Sequence, residues 1–198
     1  MPEEIDNSDL KIRLETIETQ LKELHEAIAD IQEELKEQLN LVTDIERYKN
    51  LKKFLKEQNF QAADQETTKV MLEVAGEDRD NLTPEDLTKF PCNALLVIDN
   101  LWKNYSNQHF GFSLQLNSYY SVGGTIDTIR AQDINTLKKF ADKVGWLNEN
   151  GQPNFPNYEH WDFSLAAPKG CFPAHWWKSP YGLKMVTFFF SRLIACDV

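Results

Sequence analysis

Between Leu10 and Ile45 the apolar residues advance in alternating steps of four and three: Leu10, Leu14, Ile17, Leu21, Leu24, Ile28, Ile31, Leu35, then Gln38, Val42 and Ile45. That spacing repeats every seven residues. With Leu14 at position a, Leu14, Leu21, Ile28, Leu35 and Val42 form the a set, and Leu10, Ile17, Leu24, Ile31, Gln38 and Ile45 the d set of one helical seam. A helix folded back on its own domain ordinarily carries a wider apolar face, so a seam this narrow on a charged helix calls for a partner helix. The segment predicts a coiled-coil helix over 10–46, ~54 Å long at ~1.5 Å per residue, that self-associates through Leu10 to Ile45. Residues 1–9 read as a flexible tail. Gln38 at d helps to fix register, while mixed Leu and Ile at both seam positions leave dimer and trimer open.

The charge divides at the same place. Residues 1–47 hold 14 acidic and 5 basic side chains, whereas residues 48–198 hold 17 and 16. The second part, at about 150 residues, is long enough for one domain with a full core. It is nearly neutral and shows no evident basic helix or stripe, so a nucleic acid partner is not expected. The longest apolar run, Met185 to Ala195, is broken by Ser191 and Arg192 and is too short to span a bilayer. Cys92, Cys171 and Cys196 are odd in number, far apart and without CxxC spacing, which predicts neither a disulfide framework nor a structural zinc site and fits a reducing compartment.

Helical periodicity continues beyond the seam. A helix near Tyr48 to Gln58 is followed by one over about Gln61 to Ala75, with Ala63, Thr67, Val70, Met71 and Val74 on one face and Gly76 as its stop. Thr83-Pro84-Glu85-Asp86 is a strong helix start, because Thr caps, Pro suits the first helical position and acids favour the positive helix end. After Pro91, Leu95, Ile98, Trp102 and Tyr105 share a stripe, which puts Asp99 on the solvent side. Ser113 reads as the cap of a helix ending near Ser121 and Gly123-Gly124, and Ile134, Leu137, Ala141 and Val144 mark another helix closed by Gly145. The domain is therefore mainly α and compact.

From Leu147 to Gly182 the periodicity disappears and Pro153, Pro156, Pro168, Pro173 and Pro180 interrupt any regular element. Loops this long are functional or disordered, and disorder requires few aromatic residues. This one holds Phe155, Tyr158, Trp161, Phe163, Phe172, Trp176, Trp177 and Tyr181, so it folds onto the helices or onto a bound molecule. Downstream, Lys169, Lys178, Lys184 and Arg192 face only Asp197 in the acid count, and they would suit carboxylates at the rim of a flat apolar ligand.

Four blocks in order carry a family resemblance: Ala63-Asp64-Gln65-Glu66-Thr67, the stretch Phe90 to Gln115 with Phe110-Gly111-Phe112, Val144-Gly145-Trp146, and Ala167-Pro168-Lys169-Gly170. From about Tyr48 to the C-terminus the chain resembles the Genomes Uncoupled Four family of tetrapyrrole-binding proteins. The resemblance implies a compact all-helical domain that binds a porphyrin in an open hydrophobic cavity bordered by loops, without catalysing a reaction, and that regulates or supplies magnesium chelatase in chlorophyll synthesis. It implies protoporphyrin, magnesium protoporphyrin or a linear bilin as ligand, and the large subunit of magnesium chelatase as partner. The positions it points to are Met71, Phe110, Phe112, Trp146, Phe155, Tyr158, Phe172, Trp176 and Trp177, and the cation count adds Lys178 and Arg192 as partners for propionates. Among these, Phe110 and Phe112 also suit core packing, and Phe155, Tyr158, Trp176, Trp177 and Lys178 are the stronger ligand candidates. Cys171-Phe172-Pro173 stands where the family usually has His-Leu-Pro, and Phe155 where it often has tryptophan. Both departures lie where cavity shape would separate a closed porphyrin from an open bilin. Without an Arg/Ser-rich leader, a cyanobacterial cytoplasm or membrane periphery is expected rather than a plastid.

The residues offer little for catalysis. Asp64 and Glu66 lie two apart on a helix and point to different faces, so helix initiation accounts for them better than paired acid and base. His109 and His175 are near the expected site, but no Cys-x-x-Cys-His motif attaches a haem and iron ligation is not expected. GxSxG, phosphate-loop and HExxH patterns are missing from the sequence. A second reading makes the domain a bilin or porphyrin sensor and the coil its scaffold or signalling arm.

Overall fold

The computed structural model describes residues 7–76, 81–177 and 181–198, without the side chains of residues 7, 9, 10, 12, 33–45, 155, 156 and 177. The described residues are all helix, turn and loop, joined by one isolated bridge between Leu147 and Pro153. The chain separates into two compact units, Met1–Glu46 and Arg47–Val198.

The first unit lies in α1 (Asn7–Lys56), where Leu14, Ile17, Leu21, Leu24, Ile28 and Ile31 are 45–63% exposed. Large aliphatic side chains this open form an uncovered stripe. The seam positions from 33 to 45 and the first six residues of the expected tail lie outside the described residues or side chains. Tyr48 to Lys56 does not start a new helix as its pattern suggests. No glycine or proline separates it from the seam, and it forms the end of α1.

In the second unit Tyr48, Leu51 and Leu55 of α1 are buried in the core. Asn59 caps α2 (Phe60–Ala75) by accepting from Ala62 N, and Gly76 ends it at φ 73°, a left-handed conformation that glycine adopts without Cβ strain. Thr83 and Asp86 form a reciprocal capping box at α3 (Pro84–Lys89), as the sequence suggests. The chain continues through α4 (Cys92–Tyr105), α5 (Phe112–Ser121), α6 (Ile126–Arg130) and α7 (Ile134–Lys143). Two 3-10 turns, Phe155–His160 and His175–Trp177, then lead to α8 (Lys184–Ala195).

Helix α8 is the hub. Its Met185, Val186, Phe189, Phe190 and Leu193 are buried, and it packs against α3, α5, α6 and α7. A helix apolar on so much of its circumference is stable only when covered from several sides. Cys92 at the start of α4 and Cys196 just beyond α8 form a disulfide, with Cα atoms 5.2 Å apart. This corrects the expectation drawn from cysteine spacing: 104 residues of sequence separate the pair, and only the packing of α8 brings them together. Cys171 remains free and buried.

Two further expectations are corrected at α5. Its N-cap residue is Gly111 and no side chain caps it locally. Asp99 supplies that function from α4: buried rather than solvent-facing, it accepts from Ser113 N at 2.9 Å and Ser113 Oγ at 2.9 Å, and pairs with Lys103 at 2.8 Å. A carboxylate at a helix N-terminus is well placed electrostatically. Gly111, at φ 149°, is required there because a Cβ would lie 2.8 Å from Asp99 Oδ1.

Candidate functional site

The long aromatic segment is fastened to α2 chiefly through Asp64. Asp64 is fully buried; its Oδ1 accepts from Ala174 N at 2.6 Å and His175 N at 3.1 Å, and its Oδ2 accepts from Tyr158 Oη at 2.8 Å. Thr68, one turn further along α2, meets His175 Nδ1 at 3.2 Å. Helix initiation is therefore not the role of Asp64, since Asn59 performs it. Asp64 is an anchor for the segment that carries the second 3-10 turn. Burial pushes its carboxyl up to about 6, against the opposing pull of the His175 and Ala174 N–H groups and the Tyr158 hydroxyl. Burial, then the Asp64 charge, raises the Tyr158 phenol and the Cys171 thiol well above their ordinary values, so both stay protonated near neutral pH.

The candidate ligand residues fall into separate groups. Phe110 and Phe172 meet edge to face at 5.1 Å among Phe60, Trp102 and Phe163, all within the core or packed on it. Trp146 packs on Phe140 at 5.2 Å and donates Nε1–H to Cys171 O at 2.8 Å. Phe110, Phe112, Trp146, Phe172 and Met71 present no accessible surface in this conformation. Their present contacts are packing contacts. Arg192 stands apart and donates Nε–H to Phe90 O at 2.6 Å, at the end of α3. The side chains of Phe155 and Trp177, and the whole of Lys178, lie outside the described residues.

Trp176 differs from the rest. Its ring lies 4.3 Å from Phe189 of α8 and 6.5 Å from Phe112 of α5, and the 3-10 turn that bears it packs on α2. It is only 3% exposed, yet among the described residues its Nε1–H has no acceptor. A buried indole N–H usually finds a partner, and leaving it bare costs free energy. On the same two helices Leu72, Val74 and Ala75 of α2 and Phe188 of α8 are half-buried apolar side chains. The Trp176, Phe189 and Phe112 rings, with an indole donor that no described residue accepts from, suit a flat, largely apolar ligand bearing an acceptor. Phe189 is the contributor that the sequence reading missed, because the apolar α8 run gives no sign of which ring meets Trp176.

Neither histidine near this region is free: His109 Nε2 lies 2.7 Å from Ala167 O, and His175 meets Thr68. Among the described residues no group of three His, Cys, Asp or Glu side chains could hold a metal ion. A concavity of about 370 Å3 is lined by Asn154, Asn157, His160, Trp161, Asp162 and Cys171 among others. Its Asn154 and Trp161 are bonded to one another's segment through Trp161 Nε1 and Asn154 O at 3.1 Å.

One premise from the sequence fails on the surface of this unit. Lys49, Lys52, Lys53 and Lys56 lie exposed on a single face at the end of α1, so the domain does carry a basic stripe.

Among the described residues the domain is all-helical, with an aromatic segment pinned across its helices. The GUN4-like family profile matches residues 42–185, and the chain belongs to the GUN4-like family. It is 32% identical over 129 residues to the Ycf53-like protein of Synechocystis sp., covering 64% of this chain and 50% of that protein. To the chloroplastic tetrapyrrole-binding protein of Arabidopsis thaliana it is 28% identical over 141 residues, covering 62% and 46%. The chain thus spans about half the length of the curated relatives it matches. The ligand-free structure of Arabidopsis thaliana GUN4 shares its fold at a TM-score of 0.58 and 23% identity, over 73% of this chain and 91% of that one. The structure of GUN4 from Chlamydomonas reinhardtii does so at 0.52 and 22%, over 73% and 86%.

Proposed function

We propose that this chain is a noncatalytic tetrapyrrole-binding protein, a porphyrin carrier or regulator that acts on magnesium chelatase in chlorophyll synthesis. The observation that carries the reading is the buried, unpartnered Nε1–H of Trp176 at the meeting of α2, α5 and α8. Membership of the GUN4-like family and the likeness to a relative named as a tetrapyrrole-binding protein support it. Trp176 would donate to an acceptor on the ligand, with Phe189 behind it and the half-buried side chains of α2 and α8 against the macrocycle. Trp177 and Phe155 belong to the proposed site by resemblance, and Lys178 by its charge. The ligand is protoporphyrin or its magnesium form, with magnesium entering only inside the pigment. The working place proposed is the cytoplasm or membrane periphery of a cyanobacterial cell.

A second reading is favoured by the exposed stripe from Leu14 to Ile31. In it the domain senses a bilin or porphyrin and the helix assembles copies of the chain as a scaffold or signalling arm. A magnesium chelatase assay separates the two. The regulator reading expects the full chain to raise chelatase turnover in a porphyrin-dependent way. Pigment binding with no effect on turnover would discard it in favour of the sensor.

A further inference from the structure

The last turns of α1 have two opposed faces. Tyr48, Leu51 and Leu55 are buried and fix this stretch of helix in the domain core. Lys49, Lys52, Lys53 and Lys56 are exposed at i, i+3, i+4 and i+7, the spacing that lines side chains along one side of a helix. With Glu57 they surround a concavity of about 470 Å3. Among the described residues Lys52, Lys53 and Lys56 form no ion pair, although Glu57 stands four residues after Lys53. The Lys53 ammonium sits 6.0 Å from the Phe54 ring instead.

Like charges crowded around one hollow repel one another, and an anion in that hollow relieves the repulsion for all of them together. An ammonium acts on phosphate as a compact point charge with three rotatable donors, on a stem long enough to converge with its neighbours. The four Cα positions span ~10 Å along the helix at ~1.5 Å per residue, so a lone carboxylate or monophosphate engages only part of the set. Two or three adjoining phosphoryl groups engage all of it. A long polyanion such as nucleic acid fits less well, because the four lysines form one short island in a domain, residues 48–198, whose other charged side chains are 17 acidic and 12 basic (16 less these four).

We infer that the Lys49, Lys52, Lys53 and Lys56 face is a binding site for a compact polyanion of two or more adjacent phosphoryl groups, either free in solution or presented as an anionic lipid headgroup. The site is independent of the pigment reading, because none of its residues is among those assigned to the pigment.

The test is calorimetric titration of the full chain with monophosphate, pyrophosphate and tripolyphosphate, paired with flotation on phosphatidylcholine vesicles with and without phosphatidylinositol 4,5-bisphosphate. Affinity should rise at least tenfold from monophosphate to tripolyphosphate and fall as salt is raised. K49Q/K52Q/K53Q/K56Q should lose at least tenfold in tripolyphosphate affinity with helical content unchanged, and K52E alone at least threefold. Flotation that tripolyphosphate reverses supports the site with a lipid source; tripolyphosphate binding without flotation supports it with a soluble source. Failure of both overturns the inference. Equal binding by the fourfold variant, or equal competition by a tetraglutamate peptide, overturns it too, because the face would then not be the site or would read charge without regard to phosphate.

Discussion

The Tyr158 hydroxyl donates to Asp64 Oδ2 over 2.8 Å and joins residues 94 apart in sequence. With the Ala174 and His175 N–H groups on the same carboxylate, it makes Asp64 the main buried anchor between α2 and the aromatic segment. Asp64→Ala would leave two buried N–H groups and a buried hydroxyl without an acceptor, so a loss of about 3 kcal/mol is expected, at the upper end for unsatisfied buried donors. Urea denaturation measures it. Hydrogen exchange at Ala174, His175 and Trp176 should quicken more than at Leu95 or Ile98 of α4. Uniform acceleration would mean that Asp64 supports the whole core rather than anchoring the segment.

The same carboxylate sets a pH dependence. Its folded value of about 6 lies above the ordinary carboxyl value of 3.8, because burial penalises the ionised form. Stability from the protonated group is fully present below 3.8 and is lost as pH rises through 6. The accumulated cost above pH 6 is about 3 kcal/mol, from roughly two units at about 1.4 kcal/mol each. Asp64→Asn cannot ionise, so the difference in unfolding free energy between the wild type and this variant should shift against the wild type between pH 4 and 7. A difference that stays constant across that window would show that Asp64 titrates at an ordinary value.

Trp176→Phe keeps a ring against Phe189 but removes the unpartnered N–H. If a pigment accepts from that group, affinity should fall by about tenfold, the equivalent of one ordinary hydrogen bond at about 1.4 kcal/mol. Thermal stability should hold or rise slightly, since a bare buried donor disappears. Unchanged pigment affinity measured by absorbance titration would remove Trp176 from the site.

Local signals in the sequence proved readable where the interaction is itself local. The Thr83–Asp86 box and the left-handed Gly76 stop involve residues within one turn, and both are present. The aromatic segment from Phe155 to Trp177 was legible as something that packs, because Tyr158, Phe172 and Trp176 are too large and apolar to stay in water. The roles of Asp64 and Asp99 were not. Each accepts hydrogen bonds from a distant segment, Asp64 from residues 158 to 175 and Asp99 from Ser113, and helical phase says nothing of what later covers a face. The Cys92–Cys196 pair was hidden for the same reason. Most of the residues that the resemblance pointed to as ligand contacts, such as Phe110, Phe172 and Trp146, are large and apolar, a property that core and ligand surface share. Sequence pattern therefore had no means of separating those two uses.

The exposed seam gives a prediction about assembly. Full-length chain should be a dimer by light scattering, because six aliphatic seam side chains from Leu14 to Ile31 stand open to solvent. Leu21→Glu with Ile28→Glu should give a monomer, since charges at consecutive a positions would be forced into an apolar interface. Removal of residues 1–46 should do the same and leave pigment binding intact. A monomeric full-length chain contradicts the assembly reading, and a truncation that no longer binds pigment would place part of the site on the helix.

Tetrapyrrole binding by the helical domain is tested most directly by quenching of tryptophan fluorescence. The purified full chain is titrated separately with protoporphyrin, magnesium protoporphyrin, haem and a linear bilin. Saturable quenching with a micromolar or tighter Kd is predicted for at least one of them, with the bound pigment's absorption band shifted in step. If none of the four gives saturable quenching or a shifted band, the chain is not a tetrapyrrole-binding protein.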